Sequence, residues 1–410
     1  MTICSDPSGN IYVAGQFMNS QNNCYVLKYD GFSWKQLGTQ NNFFQQGYIW
    51  SLTSDPFGNI YTCGEFGNDT GKTFVAKFNG NNWSELGGPK SLSANGYITS
   101  VLSDHFGNIY TTGFFKNDSG SAYVAKYDGV KWEELGGPNS LGVKLPILNL
   151  CNDPMGNIYV STYQPEANGK YGVLKFDGSN WSELGGANGF TSRVAISSLC
   201  SDNAGNIYAS GEFTNSNGDY YLAKFDGTSW SELAGTNSLP ANGSVNSISC
   251  DRFGNIYASG EFKNDSGLRY VAKFDGIKWS ELTGLDISGS ERISKLYTDS
   301  TGNIYAPINL VFSPQNNRVA KYSIVPTSVP SANNNSRIKL FPNPATNSIR
   351  LLNNPGKADY QIINSVGSVV KRGIVEKQNA INLGSLGSGV YFLKIVRRNS
   401  TTFFQSFTKN

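Results

Sequence analysis

The 410-residue sequence predicts an all-β protein: a seven-bladed β-propeller of four-stranded antiparallel blades, followed by a small C-terminal β-sandwich. Three observations carry this. Charged residues are only 15%, aromatics reach 13% and Gly numbers 46, a composition of turn-rich β material and not of helical bundles or disorder. The tetrapeptide Gly-Asn-Ile-Tyr recurs seven times, at Gly9, Gly58, Gly107, Gly156, Gly205, Gly254 and Gly302, at intervals of 49 residues with a last one of 48. No segment sustains a 3.6-residue apolar period.

Other residues share the period. An Asp stands three before each glycine: Asp6, Asp55, Asp104, Asp153, Asp202, Asp251 and Asp299. A Lys follows in register: Lys28, Lys77, Lys126, Lys175, Lys224, Lys273 and Lys321. Six Trp do the same, Trp34, Trp83, Trp132, Trp181, Trp230 and Trp279, while Trp50 lies outside the pattern. The third unit shows the expected strands. Strand a is 98–103, and Asp104-His105-Phe106-Gly107 forms a turn with Gly at positive φ. Strand b, 108–115, is rich in β-branched and aromatic residues. Asn117-Asp118-Ser119-Gly120 turns into strand c, 122–127, and Asp128-Gly129 turns into strand d, 132–135. A unit this small cannot cover both faces of its sheet, and radial stacking solves that problem.

The predicted ring closes imperfectly. Unit seven has strands a to c, ending at Tyr322, but lacks the Trp-bearing strand d. Unit one begins inside strand a at Met1-Thr2-Ile3, without a basic or apolar leader. The expectation is that a strand d and a signal peptide precede Met1.

Residues 1–322 therefore form the propeller, 323–336 a Pro/Ser/Asn-rich linker and 337–410 a separate module. The module holds eleven Lys/Arg and two acidic residues, so it carries +9 while the rest carries −6. Alternating strands are expected over 348–352, 359–364, 368–373, 389–396 and 401–408. The run Ile338-Lys339-Leu340-Phe341-Pro342-Asn343-Pro344-Ala345 resembles the opening of the C-terminal sorting domain of the Bacteroidetes type IX secretion system. So do Ile362-Ile363-Asn364-Ser365-Val366-Gly367, Gly389-Val390-Tyr391-Phe392-Leu393-Lys394 and the terminal Phe407-Thr408-Lys409-Asn410. Asn364 departs from the family's usual Asp. The resemblance implies an immunoglobulin-like sandwich that is handed to the secretion machinery, with Pro342, Asn343, Pro344, Gly367, Gly389, Tyr391, Lys394 and Lys409 as its signal residues. It also implies passage through the periplasm to the cell surface or beyond, with the domain usually removed afterwards. The seven units resemble the Asp-x-x-Gly-Asn-x-Tyr propeller repeats of secreted bacterial proteins, and are kelch-like without the kelch double glycine. That likeness implies fold, not function.

Several function classes recede. Net charge is +3, too little for nucleic acid held by global charge. No apolar run is long enough to span a membrane. A single histidine, His105, excludes a multi-histidine metal site, and it occupies a variable turn position. The column Glu65, Glu212, Glu261 and the column Glu85, Glu134, Glu183, Glu232, Glu281 repeat by blade, so no glycosidase pair is predicted. The turns lack the calcium-loop pattern. Neither metal nor cofactor is expected. The repeated Asp and Gly read as turn formers, the Trp and Tyr as packing, and the Lys as ion-pair partners or solvated groups. Cys4, Cys24, Cys63, Cys151, Cys200 and Cys250 read as buried free thiols, with a Cys151–Cys200 bridge as the alternative.

The a–b and c–d turns share one constant rim. The b–c and d–a connections share the other, which varies and is free to recognise. There the loop 40–50 stands out, with Phe43, Phe44, Tyr48 and Trp50 among amides that suit sugar faces and hydroxyls, or else a plug of the seam. Blade four departs at Tyr163. The sequence is read as a monomeric, non-enzymatic, exported binding or adhesion module whose rim meets a glycan or a protein. The alternatives are a secreted enzyme acting on polysaccharide and a structural surface protein without a ligand.

Overall fold

A computed structural model of the chain resolves two compact units, Met1–Tyr322 and Ser323–Asn410. It describes all residues except 17, 21–22, 39–43, 45–46, 165–169, 186–191, 193, 236–238, 240, 283–286, 288–290, 311–317, 324–338, 353–357, 365–368, 377–379 and 397–401. The expected linker lies almost wholly outside the described residues.

Seven antiparallel sheets make the first unit. Blade two is typical: strand a Ile49–Ser54, b Ile60–Gly64, c Ala76–Phe78 and d Trp83–Glu85. In blade seven strand a is split into Glu291–Ile293 and Tyr297–Thr298, both paired with strand b, Ile304–Leu310. Arg318–Tyr322 is strand c, and the described residues of this blade include no strand d. The a strands touch their neighbours in sequence round the axis, and strand a of blade one meets blade seven. Ile3, Ile11 and Val13 pack there on Tyr305, and the Ser5 hydroxyl lies 2.9 Å from that of Tyr297. The stack is a closed ring.

Why the repeat is so constant is plain at the a–b turn. In blade three Asp104 Oδ1 accepts the amides of Phe106 and Asn108. Its Oδ2 accepts Asn108 Nδ2 at 2.7 Å and the Tyr110 hydroxyl at 3.1 Å. Gly107 closes the turn at φ 85°, a conformation that costs other residues a steric clash. All seven blades repeat these bonds to the Asp side chain. The Lys of strand c lies over the Tyr ring in every blade, 5.6–6.0 Å from its centre. These lysines are thus neither carboxylate partners nor idle in solvent: the ring face attracts the cation.

From blade two to blade five, the Trp of strand d donates Nε1 to a Leu carbonyl of the preceding blade, as Trp83 does to Leu37 at 3.0 Å. Trp132, Trp181 and Trp230 do likewise, whereas Trp279 Nε1 in blade six is buried without a partner. Trp34 of blade one faces blade seven, where no such strand is described, and it is 42% exposed against 3% for Trp83. At the hub, Ser54 and Ser201 donate to carbonyls of the preceding blade's strand a.

The cysteines need a correction. Cys200 and Cys250 form a disulfide between strands a of blades five and six, with Cα atoms 6.3 Å apart. Cys4, Cys24, Cys63 and Cys151 are free and buried. Side-chain alternation explains the pairing. The residue two before the turn Asp, such as Cys4, Cys151 or Cys200, faces the following blade, as its packing partners show. The residue one before it, such as Ser54 or Cys250, faces the preceding blade. Cys151 and Cys200 therefore face the same way round the ring and do not meet.

The second unit is a small β-sandwich. One sheet joins Lys339–Phe341, Ser348–Leu352 and Ile381–Asn382. The other runs in the order Val369–Val375, Ala358–Asn364, Gly389–Val396, Thr402–Lys409. Ile349, Ile362, Leu393 and Phe407 lie in the core between them.

Two outcomes follow from these contacts. Burial, together with the adjoining Asp carboxylate, raises the hydroxyl pKa of Tyr12, Tyr61, Tyr110, Tyr159, Tyr208, Tyr257 and Tyr305. The unfolded chain releases these protons from about pH 10, while the folded ring keeps them. Stability is therefore complete below that pH and falls as pH rises through it. Urea unfolding at stepped pH should show a steep decline there, and Tyr257→Phe should lessen the slope by about one proton. Alkylation of the denatured, unreduced protein should label four thiols and not six, with mass spectrometry placing the unlabelled pair at Cys200 and Cys250.

Candidate functional site

Strand a enters from the variable rim, and strand b ends there. Trp50, at the start of strand a in blade two, is half-buried. Its ring centre lies 6.0 Å from that of Tyr97 and 6.4 Å from that of Phe114, the latter edge-on at 80°. Tyr97 belongs to the connection into blade three and Phe114 to the end of its strand b. They are 49% and 43% exposed. Three rings from separate segments thus meet on the variable rim at blades two and three.

This cluster is only partly the one expected. Trp50 stands on the rim as read. Phe44 does not: it is 3% exposed, with its ring edge-on to Phe66 at 4.9 Å and to Trp83 at 5.0 Å. A ring that fills the seam between blades one and two gains more by burial than by display, so Phe44 is core. Tyr48 packs on the same cluster, and Phe43 lies outside the described residues. Tyr163 sits in strand b of blade four opposite Tyr171. Tyr97 and Phe114 were missed. The signal was present, since Phe114 fills the column that holds Glu65, Glu212 and Glu261 elsewhere.

Several of the acids near this rim are engaged. Glu261 meets Arg269 at 2.6 Å and Arg292 at 3.4 Å. In the second column Glu85, Glu134, Glu232 and Glu281 each accept the side-chain amide of the Asn that opens their own blade's b–c turn. Among the described residues no group of three His, Cys, Asp or Glu is placed to hold a metal.

One cation stands apart. Lys295 occupies strand a of blade seven, in the break between its two segments. The equivalent residues are Thr2, Ser51, Ser100, Asn149, Ser198 and Ser247. Its side chain is reached by solvent yet surrounded by protein, and desolvation holds its pKa below the usual lysine range. Sequence reading passed over it, although the column marks it.

The constant rim is less uniform than expected. The third residue of its a–b turns is exposed and variable, and Phe57, Phe106 and Met155 form an apolar arc over three consecutive blades. Phe57 and Phe106 border a cavity of about 450 Å³ between blades two and three. His105, exposed, lies beside it with its ring 3.8 Å from that of Phe106.

In the tail, the two ends of the sorting motif clasp each other. Asn343 Oδ1 accepts the Thr408 amide at 2.9 Å, and Ala345 exchanges backbone bonds with Thr408 and Asn410. Pro342 and Pro344 are exposed on this clasp. Tyr391 stacks on Phe407 and donates its hydroxyl to the Gly387 carbonyl at 2.9 Å. Gly389 and Lys409 pair across the last two strands, and Lys394 lies in the first of these. Gly367 lies outside the described residues.

Comparison with known proteins agrees with both units. Residues 339–408 match the model of the secretion system C-terminal sorting domain. No curated protein matches the chain. Among solved structures, the extracellular domain of a hybrid two-component system from B. thetaiotaomicron is similar over 100% of this chain, at 15% identity and a TM-score of 0.51. This chain covers only 54% of that domain's length. YCF48 bound to D1 peptide matches over 75% of this chain and 89% of its own, at 11% identity and a TM-score of 0.50. A fungal alcohol oxidase of the AA5 family in complex with copper matches over 99% and 96%, at 12% identity and a TM-score of 0.50. Likeness at this identity speaks for the fold alone. The chain is a β-propeller carrying a type IX secretion C-terminal sorting domain, a protein destined for secretion or the cell surface.

Proposed function

We propose that the propeller is a non-catalytic binding module that works outside the cell and grips a glycan on the variable rim. The observation that carries this is the gathering of Trp50, Tyr97 and Phe114, three partly exposed rings from three segments, at one place on the variable rim. Exposed aromatic area costs free energy in water unless a partner covers it. Rings presented as platforms suit the apolar faces of sugars, and the amide-rich rim supplies bonds to hydroxyls. The paired state of Glu261 and the turn-holding bonds of Glu85, Glu134, Glu232 and Glu281 favour binding over hydrolysis.

The test is a glycan array and a cell-wall polysaccharide pull-down with the whole chain, followed by calorimetry on the best ligand. Trp50→Ala with Phe114→Ala should weaken binding at least tenfold, about 1.4 kcal/mol, while leaving the melting temperature nearly unchanged. Undiminished affinity removes the cluster from consideration.

The sorting domain's part is export: it hands the propeller to the secretion machinery from the periplasm. Deleting residues 338–410 should leave the propeller in the periplasm, read by fractionation and immunoblot. Normal appearance outside the cell without the tail contradicts this role.

A further inference from the structure

We infer that Lys295 forms an anion-binding position in the propeller channel, and that the glycan held at the rim carries a carboxylate or sulfate group. The inference rests on the rim reading above and gives its ligand a class.

The argument begins with the column to which Lys295 belongs. In four other blades this position fastens one strand a to the next, while in blade one the Thr2 hydroxyl is buried without a partner. Ser51 Oγ accepts the Val101 amide at 3.2 Å, Ser198 Oγ that of Ile248 at 3.4 Å, and Ser247 Oγ that of Leu296 at 2.8 Å. Asn149 does it through Nδ2, which donates to the Ile196 carbonyl at 2.6 Å. A small polar side chain is what this task requires, and six blades have one. Lysine offers no acceptor for the next strand's amide, and blade seven interrupts its strand a around this residue. Blade seven thus carries an ammonium group at the position where four other blades fasten strand a to its neighbour.

The surroundings supply nothing to balance that charge. The ionisable groups coupled to Lys295 are the thiols of Cys4 in blade one and Cys63 in blade two, which burial raises so that they stay neutral, and the Met1 amino group, whose pKa burial and then Lys295 lower. Among the described residues no carboxylate pairs with it. A cation that the surrounding protein partly desolvates, with no counter-charge beside it, is costly, and an incoming anion relieves that cost. Solvent reaches the side chain, so a ligand has a way in.

Position names the ligand. Cys63 pairs with Ser51, the residue next to Trp50. In the repeat Lys295 stands four residues before its turn Asp and Trp50 five before its own, so both lie toward the variable-rim end of their strands a. A sugar ring bearing an acidic substituent satisfies both. A free inorganic anion satisfies only Lys295.

The experiment uses the full chain, calorimetry and three probes: tetragalacturonate, its methyl ester and a sulfated chondroitin tetrasaccharide. A thermal melt in sodium sulfate against sodium chloride is read alongside. Wild type should bind at least one charged oligosaccharide, and more than tenfold better than the ester where galacturonate is that ligand. Lys295→Ser restores the residue common in the column and should fold. It should lose at least tenfold in affinity and the sulfate-specific rise in melting temperature, while Lys295→Arg keeps both. Equal behaviour of wild type and Lys295→Ser in the melts and in binding overturns the site. A sulfate response without oligosaccharide binding keeps the anion position and overturns the glycan class. Failure of the rim reading shows separately, as Trp50→Ala binding normally while Lys295→Ser does not.

Discussion

The carboxylate at the end of each strand a is the constraint on which the ring depends. A carboxylate taken out of water loses several kcal/mol of solvation unless its lone pairs are filled. Here Asp104 and its six equivalents accept two backbone amides, one Asn side chain and one Tyr hydroxyl. Charge-assisted bonds of this kind are worth about 1.5–3 kcal/mol each, so four of them offset the loss. In blade seven burial presses the Asp299 pKa upward, yet bonds from Thr301 and Asn303 hold it below its ordinary value. One requirement dictates Asp, Gly, Asn and Tyr at fixed spacing. The Lys over the Tyr ring then covers the network with a positive charge.

That logic explains what could be read in advance. A local network lies within about seven residues, so its spacing is visible in one chain, and strand limits such as 98–103 follow from it. What crosses from one blade to the next was harder. Spacing gives the register of Cys151, Cys200 and Cys250, but not the direction in which each side chain leaves its strand. The pairing of Cys200 with Cys250 depends on a one-residue offset that turns one thiol forward and the other back. Phe44 took the seam, the alternative left open for its loop, and not the rim; which loop aromatic is drawn in depends on a seam defined only in three dimensions. The role of the repeated Lys was also hidden, because the face of a Tyr ring attracts a cation without announcing itself as an acid does.

The candidate site was legible in part because symmetry makes a control for every position. Trp50 drew attention as a Trp outside the period. Phe114 and Lys295 break their columns as sharply, but each looks ordinary alone. A Phe at the end of a strand and a Lys in a polar sequence are common. Each becomes informative only when set against the six residues that share its place.

A ring of like units has a further consequence for where function can lie. Any residue present in every blade is repeated around the axis and cannot by itself mark one place for one ligand. Recognition of a single molecule therefore has to use departures from the repeat, and departures on several blades can act together only where the blades converge. The hub is such a place: strands a of neighbouring blades touch there, and Trp50 and Lys295 both lie on that column of strands. The outer ends of the blades diverge, so Phe32 and Val130, though exposed, are each left on a blade of their own. The apolar arc of Phe57, Phe106 and Met155 is intermediate, since it follows neighbouring blades along one rim without closing on a common point. Convergence, more than exposure or hydrophobicity, distinguishes Trp50, Phe114 and Lys295 from the other irregularities of the ring.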